Sequence, residues 1–319
     1  MKKGTLGLVA LVTLAGCTVR HAEDLAAADA EQNAASVEPQ EPATPSTTPA
    51  PSSDVQACWV ETAHVDVPAF GAVTASGILV RHGSDDLLID AGASTNYDEE
   101  IEPYTGADRA FYETIPALMK PKEPLRDVLA KMNVKAEAIR WFLPTHVHID
   151  HVGGMMDMPD LPVLLTDAEA ALVREGTTKV IFEIAPAHAK RLLPLIKPIV
   201  FEKEPYEGFA ERLDLFGDRS VVIVPLPGHT PGSVGVFVNL PTGTRMFHVG
   251  DTLGTLAQLE TGEGKSWPMD RTDSDSADTL ARVRELQALK KRLPDLHVIP
   301  AHDRVAWNAA FQAPSTCRR

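Results

Sequence analysis

The sequence predicts a mixed α/β domain in which layers of β-sheet are covered by helices. Short apolar segments bounded by turn residues recur from residue 59 to residue 299 and have the length of strands. Between them, two longer segments place apolar residues at helical spacing. With 44% hydrophobic residues in 319, the chain can bury a sizeable core.

In chain order, strands are expected at residues 59–67, 78–81 and 87–89, the last running into Asp90-Ala91-Gly92. Leu125, Val128, Leu129 and Met132 then share one helical face. Further strands are expected at 139–143, 162–165, 199–201, 220–224, 234–238, 245–249 and 297–299. Leu280, Val283, Leu286, Leu289 and Leu293 recur at helical spacing behind an Asp/Ser-rich start suited to capping. Two stretches interrupt the alternation. Residues 93–124 carry Tyr97, Tyr104, Phe111 and Tyr112, and residues 177–212 carry Pro186, Pro194, Pro198 and Pro205. Each reads either as a lid or pocket wall or as plain surface packing.

Ahead of this domain, residues 1–16 read as an export leader, with Lys2 and Lys3 followed by an apolar run too short to span a bilayer. Leu14-Ala15-Gly16-Cys17 resembles a bacterial lipobox, which implies cleavage before Cys17 and its lipidation. Thr18, where an aspartate favours inner-membrane retention, implies an anchor in the outer membrane, facing the periplasm or the cell surface. Residues 17–57 contain no aromatic residue and five prolines, so they are expected to form an extended tether rather than to fold. Residues 58–319 remain as the globular domain. Cys58 and Cys317 stand near its two ends, and in an oxidising compartment they either form a disulfide or remain two free thiols.

A formal net charge of −14 excludes nucleic acid as a partner, because binding to a polyphosphate needs basic patches. A small-molecule substrate, even an anionic one, stays compatible with that charge if bound cations dominate the local field. The oligomeric state is left open by the sequence.

The chemistry concentrates in Thr145-His146-Val147-His148-Ile149-Asp150-His151. His146 and His148 are alternate residues at the end of an apolar strand, so they are expected to point the same way and share one metal. A turn behind them lets Asp150 and His151 face a second. Three more candidates follow other strands: His229 in Pro227-Gly228-His229-Thr230, Asp251 after Val249-Gly250, and His302 after Pro300-Ala301. Neutral imidazoles and carboxylates suit two divalent ions, zinc first, with iron and manganese left open. Asp90 is read as either an orienting partner for a ligand histidine or a turn residue beside Gly92. Gly153 and Gly154 are read as allowing close packing beside the metals. His21, His64, His82, His188, His248 and His297 match no ligand position and are assigned structural or surface roles.

His-x-His-x-Asp-His, then Gly-His-Thr, Gly-Asp and a late histidine together resemble the metallo-β-lactamase superfamily, over about residues 59–307. The resemblance implies a four-layer αβ/βα sandwich with the metals at one edge between two sheets. It further implies that His146, His148 and His229 bind the first metal, that Asp150, His151 and His302 bind the second, and that Asp251 bridges them. The expected activity is that of a hydrolase in which a hydroxide held between the two ions attacks an ester-type bond, with Asp150 handling the proton. A lactone, ester or thioester is the expected substrate, with lactonase leading. The bridging Asp251 speaks against cleavage of β-lactams. The lactonase pattern places a tyrosine shortly after that aspartate, whereas Thr252, Leu253 and Gly254 follow here. A phosphoesterase of the same fold, an iron-dependent oxidoreductase resembling persulfide dioxygenases, and a non-catalytic metal-binding envelope protein are the alternatives.

Overall fold

The computed structural model describes residues 52–67, 71–175, 184–266 and 269–319. The leader, Cys17 and all but the last few residues of the tether lie outside the described residues, as do residues 176–183 of the second interrupting stretch.

Two sheets form the body. The first contains β1 (Gln56–Val67), β2 (Gly71–His82), β3 (Asp85–Ile89), β4 (Ile139–Leu143), β5 (Val163–Leu165) and β6 (Ile196–Pro198). The second contains β7 (Leu213–Asp214), β8 (Val221–Pro225), β9 (Val234–Asn239), β10 (Arg245–His248) and β11 (His297–Ile299), while β12 (Cys317–Arg318) returns to the outer edge of the first sheet beside β1. Cys58 pairs with Cys317 in that ladder, and the two are joined in a disulfide.

Alternation along the strands builds four layers. Ile78, Val80, Leu87, Ile89 and Leu143 point inward from the first sheet and meet Ile223, Val236, Val238, Met246 and Ile299 from the second. Their neighbours Leu79 and Leu88 point the other way, onto Leu125, Val128 and Leu129 of the helix Leu125–Lys131. Val222, Phe237, Phe247 and Val298 likewise leave the back of the second sheet for Val283, Leu286 and Leu289 of the helix Ser276–Arg292. Each strand thus buries both faces, which is why these segments are apolar throughout rather than alternating with polar residues. Asp275 caps the second of these helices by accepting a hydrogen bond from the Asp278 N–H at 2.9 Å.

Strand direction gathers the site. β3 and β4 run parallel, and so do β10 and β11, while β8 shares the direction of β10 because β9 runs against both. The segments after β3, β4, β8, β10 and β11 therefore emerge at one edge of the sandwich. The Val234 N–H donates to the Thr145 carbonyl at 2.9 Å across that edge, joining the two sheets.

One expected strand is displaced. Residues 199–201 are not a strand; the chain pairs with β5 three residues earlier, at Ile196, Lys197 and Pro198. Ile199 ends the ladder by donating its N–H to the Leu165 carbonyl at 2.8 Å, and Val200 beyond it is 70% exposed. The helix Arg304–Phe311, which packs Trp307 and Phe311 against Trp59, has no counterpart in the sequence reading.

Candidate metal centre

β4 stops at Leu143, so His146 and His148 stand on the loop beyond it and not on the strand whose alternation was expected to aim them. The loop still brings them together: His146 Nε2, His148 Nδ1 and His229 Nε2 lie 3.0–3.1 Å from one another. Three nitrogens at about 2.0–2.1 Å from one tetrahedral zinc would be separated by about 3.3 Å, so this cluster has the size of a single-ion tripod. His229 reaches it because Gly228 adopts φ +133, a conformation that L side chains rarely adopt, and a Cβ there would come within 2.6 Å of the Thr279 backbone nitrogen.

A helical turn at Ile149–Val152 redirects the next two candidates. His302 Nε2 lies 3.3 Å from Asp150 Oδ2 and 3.3 Å from Asp251 Oδ1, and His151 Nε2 lies 3.4 Å from the same Asp251 oxygen. The other oxygen of Asp251, Oδ2, is 3.5 Å from His229 Nε2. The two oxygens of one carboxylate thus face different clusters. His151 Nε2 and Asp251 Oδ1 are buried and have no hydrogen-bond partner among the described residues, an arrangement that a cation shared between them resolves. The fold and these His/Asp clusters suit two metal ions.

Electrostatics agree with the donor chemistry. Burial and the neighbouring histidines hold His146 and His148 well below the ordinary imidazole range, as lone-pair donors rather than cations. Burial would also lower His151, but Asp90 and Asp251 on either side raise it to about 10, so a positive charge is favoured at that spot. Burial alone would raise Asp150 and Asp251; the neighbouring His302 and His151 rings bring both below the usual carboxylate value.

Three of the rings are held from behind. Asp90 Oδ2 faces His151 Nδ1 at 3.0 Å, while its Oδ1 accepts from the Thr145 N–H at 2.7 Å, so Asp90 is an orienting partner as well as a turn residue at φ 56. The His302 Nδ1 faces the Thr74 carbonyl at 2.9 Å, and Asp273 Oδ1 lies 2.9 Å from His229 Nδ1. A Cβ on Gly153 would come within 2.4 Å of the Ser94 nitrogen and one on Gly154 within 2.2 Å of the Ala91 carbonyl oxygen, so these glycines let the ligand turn lie against the Asp90 loop.

Three contributors escaped the sequence reading. Glu169 lies buried between the two loops that carry the first cluster. Asp273 and Lys265 form a buried pair at 2.5 Å behind His229. His248 is structural, as expected, yet its Nε2 shares Asp90 with His151 at 2.8 Å. The other described histidines stay away from the centre: His64 pairs with Glu61, His82 with Asp218 and His188 with Glu100, and His297 lies half-buried in β11, while His21 lies outside the described residues.

His148, Asp150, His229, Asp251 and His302 line a cavity of about 740 Å³. One wall is Phe111, Tyr112, Pro116 and Met119, so the first interrupting stretch forms a pocket wall; Leu253, Leu256 and Ala257, following Asp251, form the other. The described part of the second stretch contributes nothing to this cavity; His188 and Ala185 pack instead against Glu100 and Tyr97 of the first.

A probable metallo-hydrolase of Mycobacterium bovis is 27% identical over 254 residues, covering 74% of this chain and 76% of its own length. The N-acyl homoserine lactonase AttM of Rhizobium johnstonii is 24% identical over 243 residues, covering 74% and 84%. Among solved structures, an N-acyl homoserine lactone hydrolase with N-hexanoyl-L-homoserine bound at its catalytic metal centre has the same fold, with a TM-score of 0.60 at 13% identity over 81% of this chain and 97% of that one. Residues 71–302, which contain every clustered donor, match the model of the metallo-beta-lactamase superfamily, and the chain belongs to that family.

Proposed function

We propose that this metallo-hydrolase uses two metal ions to cleave a carboxylic ester bond, with a lactone as the leading substrate and zinc as the leading ion. The observation that carries the reading is the divided Asp251 carboxylate, Oδ2 toward His229 and Oδ1 toward His151 and His302, at the floor of a cavity walled largely by apolar side chains. His146, His148 and His229 would hold one ion, Asp150, His151 and His302 the other, with Asp251 between them. When bound, such ions supply a Lewis acid for the electrophilic oxygen and a nucleophile from water at neutral pH.

The chain's own groups do the rest. Asp150 lines the cavity as a carboxylate and is the group placed to take a proton from the attacking water and return it to the leaving oxygen. The walls exclude water from the acyl part of the substrate, with Phe111 and Met119 on one side and Leu253 and Leu256 on the other. The lactonase name of the Rhizobium relative supports the substrate class. Metal-replete protein assayed on lactones, thioesters, phosphoesters and β-lactams, beside a His146→Ala control, is expected to turn over lactones fastest. Phosphoester cleavage alone, or activity that survives in the control, would overturn the reading.

We also propose that residues 17–57 tether this domain to the outer membrane through lipidated Cys17. Labelled palmitate should enter the wild-type chain and not a Cys17→Ser variant, and unlabelled wild type would refute the anchor.

A further inference from the structure

Glu169 belongs to no donor cluster. It sits in the first turn of the helix Asp167–Glu175 and is 1% exposed. Its carboxylate accepts three hydrogen bonds: Oε1 from the Val147 N–H at 2.7 Å, and Oε2 from the Thr230 hydroxyl at 2.8 Å and the Gly232 N–H at 3.1 Å. Val147 lies between His146 and His148, and Thr230 directly follows His229. The seat is close-fitting, since a Cβ on Gly232 would come within 2.3 Å of the Glu169 nitrogen. One side chain therefore grips both loops that carry the three nitrogens of the first tripod, beside the single backbone bond from Val234 to Thr145.

A carboxylate suits this position because every neighbour that it meets there donates. Glutamine cannot replace it: with its oxygen toward Val147, its amide faces the Gly232 N–H, and with the amide reversed it faces the Val147 N–H. One loop loses its acceptor either way. We propose that Glu169 is a positioning residue that sets the spacing of His146, His148 and His229, and so the affinity of the first metal site. The proposal rests on the reading that this tripod holds a metal.

Cobalt(II) titration, followed by visible absorption, tests it. In a His302→Ala background, which keeps the first tripod and impairs the second cluster, Glu169→Gln should weaken cobalt binding about 10- to 100-fold. In a His148→Ala background, which impairs the first, the same substitution should change binding by less than about threefold. A merely structural role would instead weaken both in step with the melting temperature of the metal-free protein. Thr230→Val removes one of the three bonds, retains the carboxylate and should cost the first site about fivefold, which keeps the test open if Glu169→Gln does not fold. A wild-type chain that binds no cobalt overturns the metal reading and this proposal with it. A wild type that binds cobalt, with first-site affinity unchanged in Glu169→Gln and Thr230→Val or reduced equally at both sites, overturns this proposal alone.

Discussion

Asp273 Oδ1 lies 2.9 Å from Nδ1 of His229, and this contact decides which ring nitrogen is left to face His146 and His148. Lys265 Nζ reaches the same carboxylate at 2.5 Å, with both side chains almost fully buried. Asp273→Ala would take the carboxylate from the ring and leave the buried Lys265 ammonium, 3.0 Å from His229 Nδ1, without its counter-charge. Its expected effect is a loss of about 10- to 100-fold in metal affinity at the first cluster, read by calorimetric titration. An affinity equal to that of wild type would show that the His229 ring is oriented by other means.

Among the described residues, Asp90 is the most heavily used buried carboxylate. It accepts from the Thr145 N–H and hydroxyl and faces His151 and His248. Burial by itself would raise its pKa, but the two histidines drive it far below the ordinary carboxylate value. Asp90→Ala leaves those partners without an acceptor and should destabilise the metal-free protein by about 3–5 kcal/mol. Urea denaturation measures this, and a loss below about 1 kcal/mol would mean that the network reorganises freely.

Acid should weaken the protein partly through Asp218. This residue accepts from the Ser52 and Ser220 N–H groups and faces His82 at 2.8 Å. Burial pulls its pKa up, and these partners outweigh burial and bring it from 3.8 down to about 2. A carboxyl lowered on folding stabilises above its unfolded pKa and loses that contribution as pH falls through the folded value. The stability gap between wild type and Asp218→Asn should therefore be fully open at pH 5 and narrow toward pH 2. Urea midpoints at several pH values would reveal a constant gap, and with it the error of this assignment.

The Cys58–Cys317 bond closes a sequence separation of 259 residues. Reduction, or Cys317→Ser, should release β12 from β1 and cost about 2–4 kcal/mol. Thermal unfolding with and without reductant provides the comparison. A melting temperature that reductant does not move would show that the ladder holds without the bond.

The donor cluster was legible because metal chemistry uses few residue types at fixed places. Histidines and aspartates after apolar strands mark themselves, and so do the glycines that let their loops close. The sandwich was legible for a similar reason, as strands such as Val221–Pro225 and Val234–Asn239 are buried on both faces and leave an unbroken apolar run. Glu169, Asp273 and Lys265 left no such mark. Each is one charged residue among many, and only folding brings it behind a ligand loop. The strand expected at residues 199–201 misled because Ile199 is buried as a strand residue would be, although its N–H makes the last hydrogen bond of the ladder. The pocket wall at Phe111, Tyr112 and Met119 was left between two readings, wall or surface packing, because its position depends on where short helices pack.

The divided origin of the donors orders events in the life of the chain. His146, His148, Asp150 and His151 belong to the loop of one sheet, and His229, Asp251 and His302 to loops of the other, so no half of the protein owns a complete coordination sphere. A metal taken up by this centre would then bind last, after the sheets have closed on each other, since an unfolded chain offers at most the four donors of residues 146–151 together. Because imidazole and carboxylate donors discriminate poorly among first-row divalent ions, the compartment where folding finishes, more than the site itself, would select the ion that such a centre takes up.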